Sequence, residues 1–141
     1  IVLPALSFIG TSVGGDPTLL NGVSVPLADN WVLTPEEQTL VNMAVVGYNQ
    51  VIGVLATQYD VALVDVNAFQ ASVIDSGVQL SDGSVVTGAF GTGGGFSLDG
   101  IHPSPRGSAL LANLFVDAIN AKYGSNLPGV NPLDFTGLYI N

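Results

Sequence analysis

The 141-residue chain has no cysteine, which removes disulfides, thiol nucleophiles and zinc–thiolate sites and leaves the redox compartment open. Charge is scarce as well: 9% of residues are charged, against about 25% in an average soluble domain. The basic side chains are Arg106 and Lys122 alone, so the formal net charge is −9. Two cations cannot make the positive footprint that nucleic acid or an anionic membrane attracts, and no nucleic-acid partner is expected. With one histidine and no dense carboxylate cluster there is no ligand set for a transition metal, and neither metal nor cofactor is expected. Low charge goes with a mean hydropathy of +0.52. This combination suggests that something else covers part of the surface: the rest of a domain, an obligate partner or a second copy. The start, Ile1-Val-Leu-Pro-Ala-Leu-Ser-Phe-Ile9, lies in mid-hydrophobic run without a basic, signal-like beginning and is read as a fragment or processing boundary.

What is present sorts into short elements. Residues 10–33 are rich in Gly, Pro, Asp and Asn and lack periodicity, which predicts a long irregular connection. Thr34-Pro35-Glu36-Glu37 is a helix start, with Thr34 as cap, Pro35 at the first position and Glu37 closing a capping box. No charge follows until Asp60, a length that could cross a bilayer. Asn42, Gly47, Asn49, Gln50 and Gly53 interrupt that run. Its apolar residues, Leu40, Val41, Ala44, Val45, Tyr48, Val51, Ile52 and Leu55, recur at helical spacing, so a helix packed on a sheet is expected rather than a transmembrane span. Val61-Ala-Leu-Val-Asp-Val66 then reads as a buried parallel strand, completing the αβ half of a βαβ unit. Asp65 and Asn67 close that strand, where α/β sheets place ligands and where capping is the commoner role.

Downstream, Asp82-Gly83 between Val78-Gln-Leu80 and Val85-Val86 predicts a hairpin at the edge of a sheet. Gly91-Thr-Gly-Gly-Gly95 lacks the Lys-Ser/Thr ending of a phosphate loop and reads as a mobile loop, with Phe90 and Phe96 as core residues or walls of an acyl pocket. Ser104 and Pro105 open a final helix that Gly124 ends. Its buried face is Leu110, Leu111, Leu114, Phe115, Ala118 and Ile119, and small Gly107 and Ser108 permit close backbone approach. From Asn126 the tail is expected to wrap the surface. No repeat or second domain boundary is evident, and Arg106 reads as a solvated side chain or a partner for a carboxylate.

The most chemically pointed stretch is Asp99-Gly100-Ile101-His102-Pro103. A turn over four residues brings its ends within about 7 Å, close enough for the Asp99 carboxylate to reach the ring Nδ1–H of His102. Gly100 eases the turn and Pro103 turns His102 away from the following helix. An imidazole whose tautomer is fixed by a carboxylate is the base half of a serine-hydrolase triad.

Asp99-Gly-Ile-His-Pro-Ser-Pro-Arg-Gly107, running into an apolar helix, resembles the last block of the GDSL (SGNH) esterases, lipases and acylhydrolases, and Val61-Ala-Leu-Val-Asp-Val-Asn67 looks like the strand preceding it. The resemblance covers about the second half of such a domain. It implies a three-layer α/β/α sandwich of flavodoxin-like type, with residues 1–141 as its C-terminal part, and an ester hydrolase acting on a small-molecule or lipid ester, with His102 as general base and Asp99 as its orienting partner. The family's other blocks are unmatched. Gly10-Thr11-Ser12 carries Thr where the nucleophile block has Asp, and a Ser in such a loop is ordinarily turn chemistry. Gly47-Tyr48-Asn49 imitates the oxyanion block from inside a helix whose donors are in use. The serine and the oxyanion donors are therefore expected upstream, in the other half of the same domain, and this chain alone is expected to be inactive. The competing expectation is a non-catalytic α/β binding or assembly module in which Asp99 and His102 only close a turn. Low charge and a long Gly/Asn-rich loop suggest an exported bacterial protein.

Overall fold

The computed structural model describes residues 1–137. Backbone contacts divide the chain into two compact units, Ile1–Val54 and a second from Leu55 onward. In the first, a 3-10 turn over Leu3–Ser7 precedes two antiparallel strands, β1 (Ser12–Val13) and β2 (Asp16–Leu20). Val13 faces Asp16 and Ser12 faces Leu20, with a bulge between the pairs. Gly14 and Gly15, at φ +62° and +80°, supply the tip. The connection expected over 10–33 thus contains a hairpin: overall composition masked a two-glycine turn. Trp31 closes a second 3-10 turn and stacks on Phe8 with ring centroids 4.9 Å apart.

Helix α1 (Pro35–Gln58) starts as its sequence predicts. The Thr34 N–H donates to Glu37 Oε2 at 2.9 Å and the Glu37 N–H to Thr34 Oγ1 at 3.3 Å, so two donors at the helix end are satisfied reciprocally. The expected packing on a sheet is not found among the described residues: Leu40, Val41, Tyr48, Val51, Ile52 and Leu55 are all exposed, and Ala56 is the buried residue of the helix. By length and composition α1 is also long and apolar enough to cross a membrane.

The second unit begins with the end of α1 and a turn at Asp60, held in the left-handed region at φ 53°. Residues 61–65 form neither strand nor helix, and this corrects the strand expected over Val61–Val66: a strand is completed by neighbours, and none lies beside this segment among the described residues. Val66 instead opens helix α2 (Val66–Asp75), capped by the Asp65 carboxylate, which accepts the Ala68 N–H at 2.8 Å. Strands β3 (Val78–Gln79) and β4 (Val85–Val86) form the expected hairpin, with Asp82 accepting both the N–H and hydroxyl of Ser84 at its tip. Among the described residues the sheets are these two hairpins.

Helix α3 (Pro105–Tyr123) has the predicted punctuation. Ser104, fully buried, accepts the Gly107 N–H at 2.9 Å and donates to the Gly94 carbonyl at 2.6 Å. Gly124 caps the far end at φ 62°. The expected apolar face is half-buried, except Phe115, which is exposed. Arg106, Asn113 and Asn120, seven residues apart, tie down the tail. Asn120 bonds Leu127, Asn113 bonds Val130, each through both its N–H and C=O, and Arg106 Nε donates to the carbonyls of Pro132 and Phe135. As far as Gly137 the tail is the surface wrap its composition suggests, residues 138–141 lying outside the described residues, and Arg106 is a clamp on it rather than a solvated side chain.

Candidate functional site

The turn that carries the dyad is set by backbone geometry on both sides. Phe96 pairs with Pro103 in an antiparallel bridge, the Ser97 N–H donates to the His102 carbonyl at 2.8 Å, and the Gly100 N–H donates to the Ser97 carbonyl at 3.0 Å. Gly100 sits at φ +70°, a conformation that costs most residues steric energy. Residues 97–102 are therefore a closed loop standing on the start of α3.

That base is held by close glycine packing. A Cβ on Gly107 would lie 2.1 Å from the Gly95 carbonyl oxygen, and one on Gly93 would lie 2.4 Å from that of Thr87. Gly95 donates to Thr87 and accepts from the Ser104 N–H. The stretch Gly91–Gly95, expected as a mobile loop, is thus corrected: Gly93, Gly94 and Gly95 are buried and hydrogen-bonded, because Gly93 and Gly95 have no side chain to hold them off Thr87 and Gly107 has none to hold the Gly95 carbonyl off the start of α3.

Within the loop, Asp99 uses its two oxygens differently. Oδ1 accepts the Ser97 hydroxyl at 2.6 Å and the N–H groups of Ile101 and His102, each at 2.9 Å. Oδ2 meets His102 Nδ1 at 2.7 Å. The Ser97 hydroxyl first, then the His102 ring and the two N–H groups, hold the Asp99 carboxyl well below the usual carboxylate range. An ionised carboxylate can only accept, so in neutral His102 the proton sits on Nδ1 and the lone pair on Nε2. The imidazole is 79% exposed and Asp99 47% exposed, which leaves the Nε2 edge open to an incoming hydroxyl.

The structure therefore brings Asp99 and His102 together as their spacing predicts. It adds Ser97, which sequence reasoning missed; its signal is a Ser two residues before an Asp, a local pairing that composition does not flag. Phe90 stays beside the turn, its ring carbons 3.4 and 3.5 Å from where a Gly100 Cβ would stand. Phe96 lines a small apolar cleft with Phe69, Val73, Val86, Leu110 and Leu111, whose free volume of about 20 Å³ matches a single water or methyl group rather than an acyl chain. Ser12 lies in β1 and Gly47 and Asn49 lie inside α1, in the first unit, whereas the dyad belongs to the second. Asp65 is a helix cap, and Asn67 lies in the first turn of α2. Among the described residues no three His, Cys, Asp or Glu side chains gather to hold a metal ion.

Comparison with protein-family models, with curated proteins and with solved structures gives no match.

Proposed function

We propose that this chain carries the general-base portion of a serine ester hydrolase, and that the nucleophilic serine and oxyanion donors come from a preceding part of the same polypeptide. The observation that carries the reading is the 2.7 Å contact between His102 Nδ1 and Asp99 Oδ2, with Oδ1 already saturated by three donors. In the complete site His102 Nε2 takes the serine proton as the serine oxygen attacks the ester carbonyl. The tetrahedral species collapses, Nε2 returns the proton to the leaving alcohol, and water then releases the acyl group by the same base. Asp99 keeps Nδ1 protonated and supports the imidazolium through both transfers. The reading carries with it a three-layer α/β/α sandwich of which these residues are the C-terminal part, in an exported protein. Two features support such a completion: the exposed apolar stripe of α1 and the unpaired Val61–Asp65 segment.

The test is labelling by a fluorophosphonate probe of the full product of the gene that encodes this chain. The expected result is one labelled serine outside these 141 residues, with labelling slowed about 100-fold or more in His102→Ala, the usual contribution of a general base. No labelled serine, or labelling indifferent to His102→Ala, overturns the proposal. Labelling of Ser12 would assign the nucleophile within this chain instead. The second reading, a binding module, draws on the three bonds at Asp99 Oδ1, since turn closure alone accounts for them; it predicts no labelling.

A further inference from the structure

Ser97 holds both members of the dyad at once. Its N–H donates to the His102 carbonyl at 2.8 Å, the last rung of the pairing that also joins Phe96 to Pro103 and the Ser104 N–H to the Gly95 carbonyl. Its hydroxyl donates to Asp99 Oδ1 at 2.6 Å, within the short range of charge-assisted hydroxyl–carboxylate bonds. Its carbonyl accepts the Gly100 N–H inside the loop. One half-buried residue thus fixes the backbone of His102 and the side chain of Asp99.

Turn closure does not call for this hydroxyl. The N–H groups of Ile101 and His102 already converge on Oδ1, and a carboxylate that accepts from the backbone two and three residues on closes a turn by itself. The hairpins at Asp16 and Asp82 show the ordinary arrangement. Asp82 accepts the N–H and hydroxyl of Ser84, and Asp16 those of Thr18, so one residue two places on supplies both donors. At Asp99 the corresponding residue is Ile101, which offers only its N–H, and the hydroxyl comes instead from Ser97, upstream. The terminal torsion of an aspartate is broad, so a third donor, reaching Oδ1 from the other direction along the chain, narrows the rotation that brings Oδ2 to Nδ1.

We propose that Ser97 is a positioning residue of this site, holding the Asp99 carboxylate so that Oδ2 faces His102 Nδ1 and Nε2 keeps a fixed aim. The hold on the imidazole rests on this geometry alone, whereas its consequence for ester hydrolysis rests on the function proposed above. In that reaction Ser97 touches neither substrate nor nucleophile. It acts through Asp99, keeping the imidazole in place while the proton passes to Nε2 and back, and a catalytic group misplaced by about 1 Å can slow a reaction about 100-fold. The same hydroxyl contributes most to keeping the carboxyl ionised, so Oδ2 remains an acceptor for Nδ1–H.

Proton and nitrogen-15 NMR of the single imidazole tests the hold on this chain. Ser97→Ala is expected to speed exchange of the Nδ1 proton with water about 10-fold or more, the factor that one hydrogen bond to a charged group commonly contributes. Ser97→Thr is expected to restore it, and the amide signals of Ile101 and His102 should stay in place in both variants, because the turn remains closed. Unchanged Nδ1 exchange in Ser97→Ala overturns the proposal, as does faster exchange that Ser97→Thr leaves uncorrected. Displaced amide signals in Ser97→Ala overturn it too, since Ser97 would then only close the turn. In the full product of the gene, fluorophosphonate labelling of the serine is expected to slow about 10-fold or more in Ser97→Ala and to recover in Ser97→Thr; an unchanged labelling rate overturns the catalytic consequence. No labelled serine in the unaltered product overturns the function proposed above and not the hold, which the imidazole signals read without it.

Discussion

Asp99 divides its oxygens between two tasks, Oδ1 closing the loop and Oδ2 holding the imidazole. Its pKa is depressed in the folded loop, so the unfolded chain binds more protons once pH drops below the ordinary carboxylate value near 4. The loop's stabilisation by this carboxylate is thus fully present above that value and is lost only as pH falls further, through the depressed folded value. Carbon-13 NMR of the Asp99 carboxyl should show no titration step between about pH 6 and pH 4, where an ordinary aspartate begins to protonate. Because the Ser97 hydroxyl contributes most to the depression, Ser97→Ala should move that step upward toward the ordinary range while Ser97→Thr restores it. An unmoved step would show that the hydroxyl does not act on the carboxylate. This much was legible in the sequence: Asp-x-x-His with a glycine inside is a local motif, and local geometry fixes it. Ser97 was not, because a serine two residues from an aspartate has many commoner uses.

At the level of elements, legibility follows the range of the interaction. The capping box at Thr34 and Glu37, the Ser104 and Gly124 caps and the Asp82-Gly83 hairpin tip all involve residues within four positions of each other, and each forms as its sequence predicts. The strand at Val61 fails for the opposite reason, since strands are completed by distant partners, and its closing Asp65 turned out to be the cap of α2. The glycine run 91–95 looked like free loop because its purpose lies in contact with Gly107, 12 residues beyond Gly95. Gly107→Ala would drive a Cβ into the Gly95 carbonyl, and overpacking of this kind costs about 1–3 kcal/mol. Its thermal midpoint should fall by roughly 5 °C or more; an unchanged melt would contradict the close packing. Ser104→Ala removes a cap and leaves the Gly94 carbonyl without its donor, for a loss of about 1–3 kcal/mol in denaturant unfolding.

On the scale of the whole molecule, low charge and high hydropathy find their counterpart in α1, whose apolar stripe lies exposed along most of 24 residues. Surfaces of this sort are rare on free monomers and mark sites of association. Val41 and Val51 are both exposed on that stripe. The double variant Val41→Glu, Val51→Glu should therefore keep its helical circular dichroism while binding less of a hydrophobic dye and scattering less light at high concentration. Loss of helix signal instead would mean that these positions are packed rather than exposed. Composition announced that surface was left over; it did not say which element carried it, because the helical stripe reads the same whether a sheet covers it or not.

The claim on which the rest depends is that Asp99 fixes His102 with its proton on Nδ1 and its lone pair on Nε2. Nitrogen-15 NMR of the imidazole reads this directly, and a single histidine removes any ambiguity of assignment. With the ring neutral, it should be found almost wholly as the Nδ1–H tautomer, and Asp99→Ala should return it to the mixture dominated by Nε2–H that a free histidine shows. A ring already in that mixture in the unaltered chain would contradict the dyad.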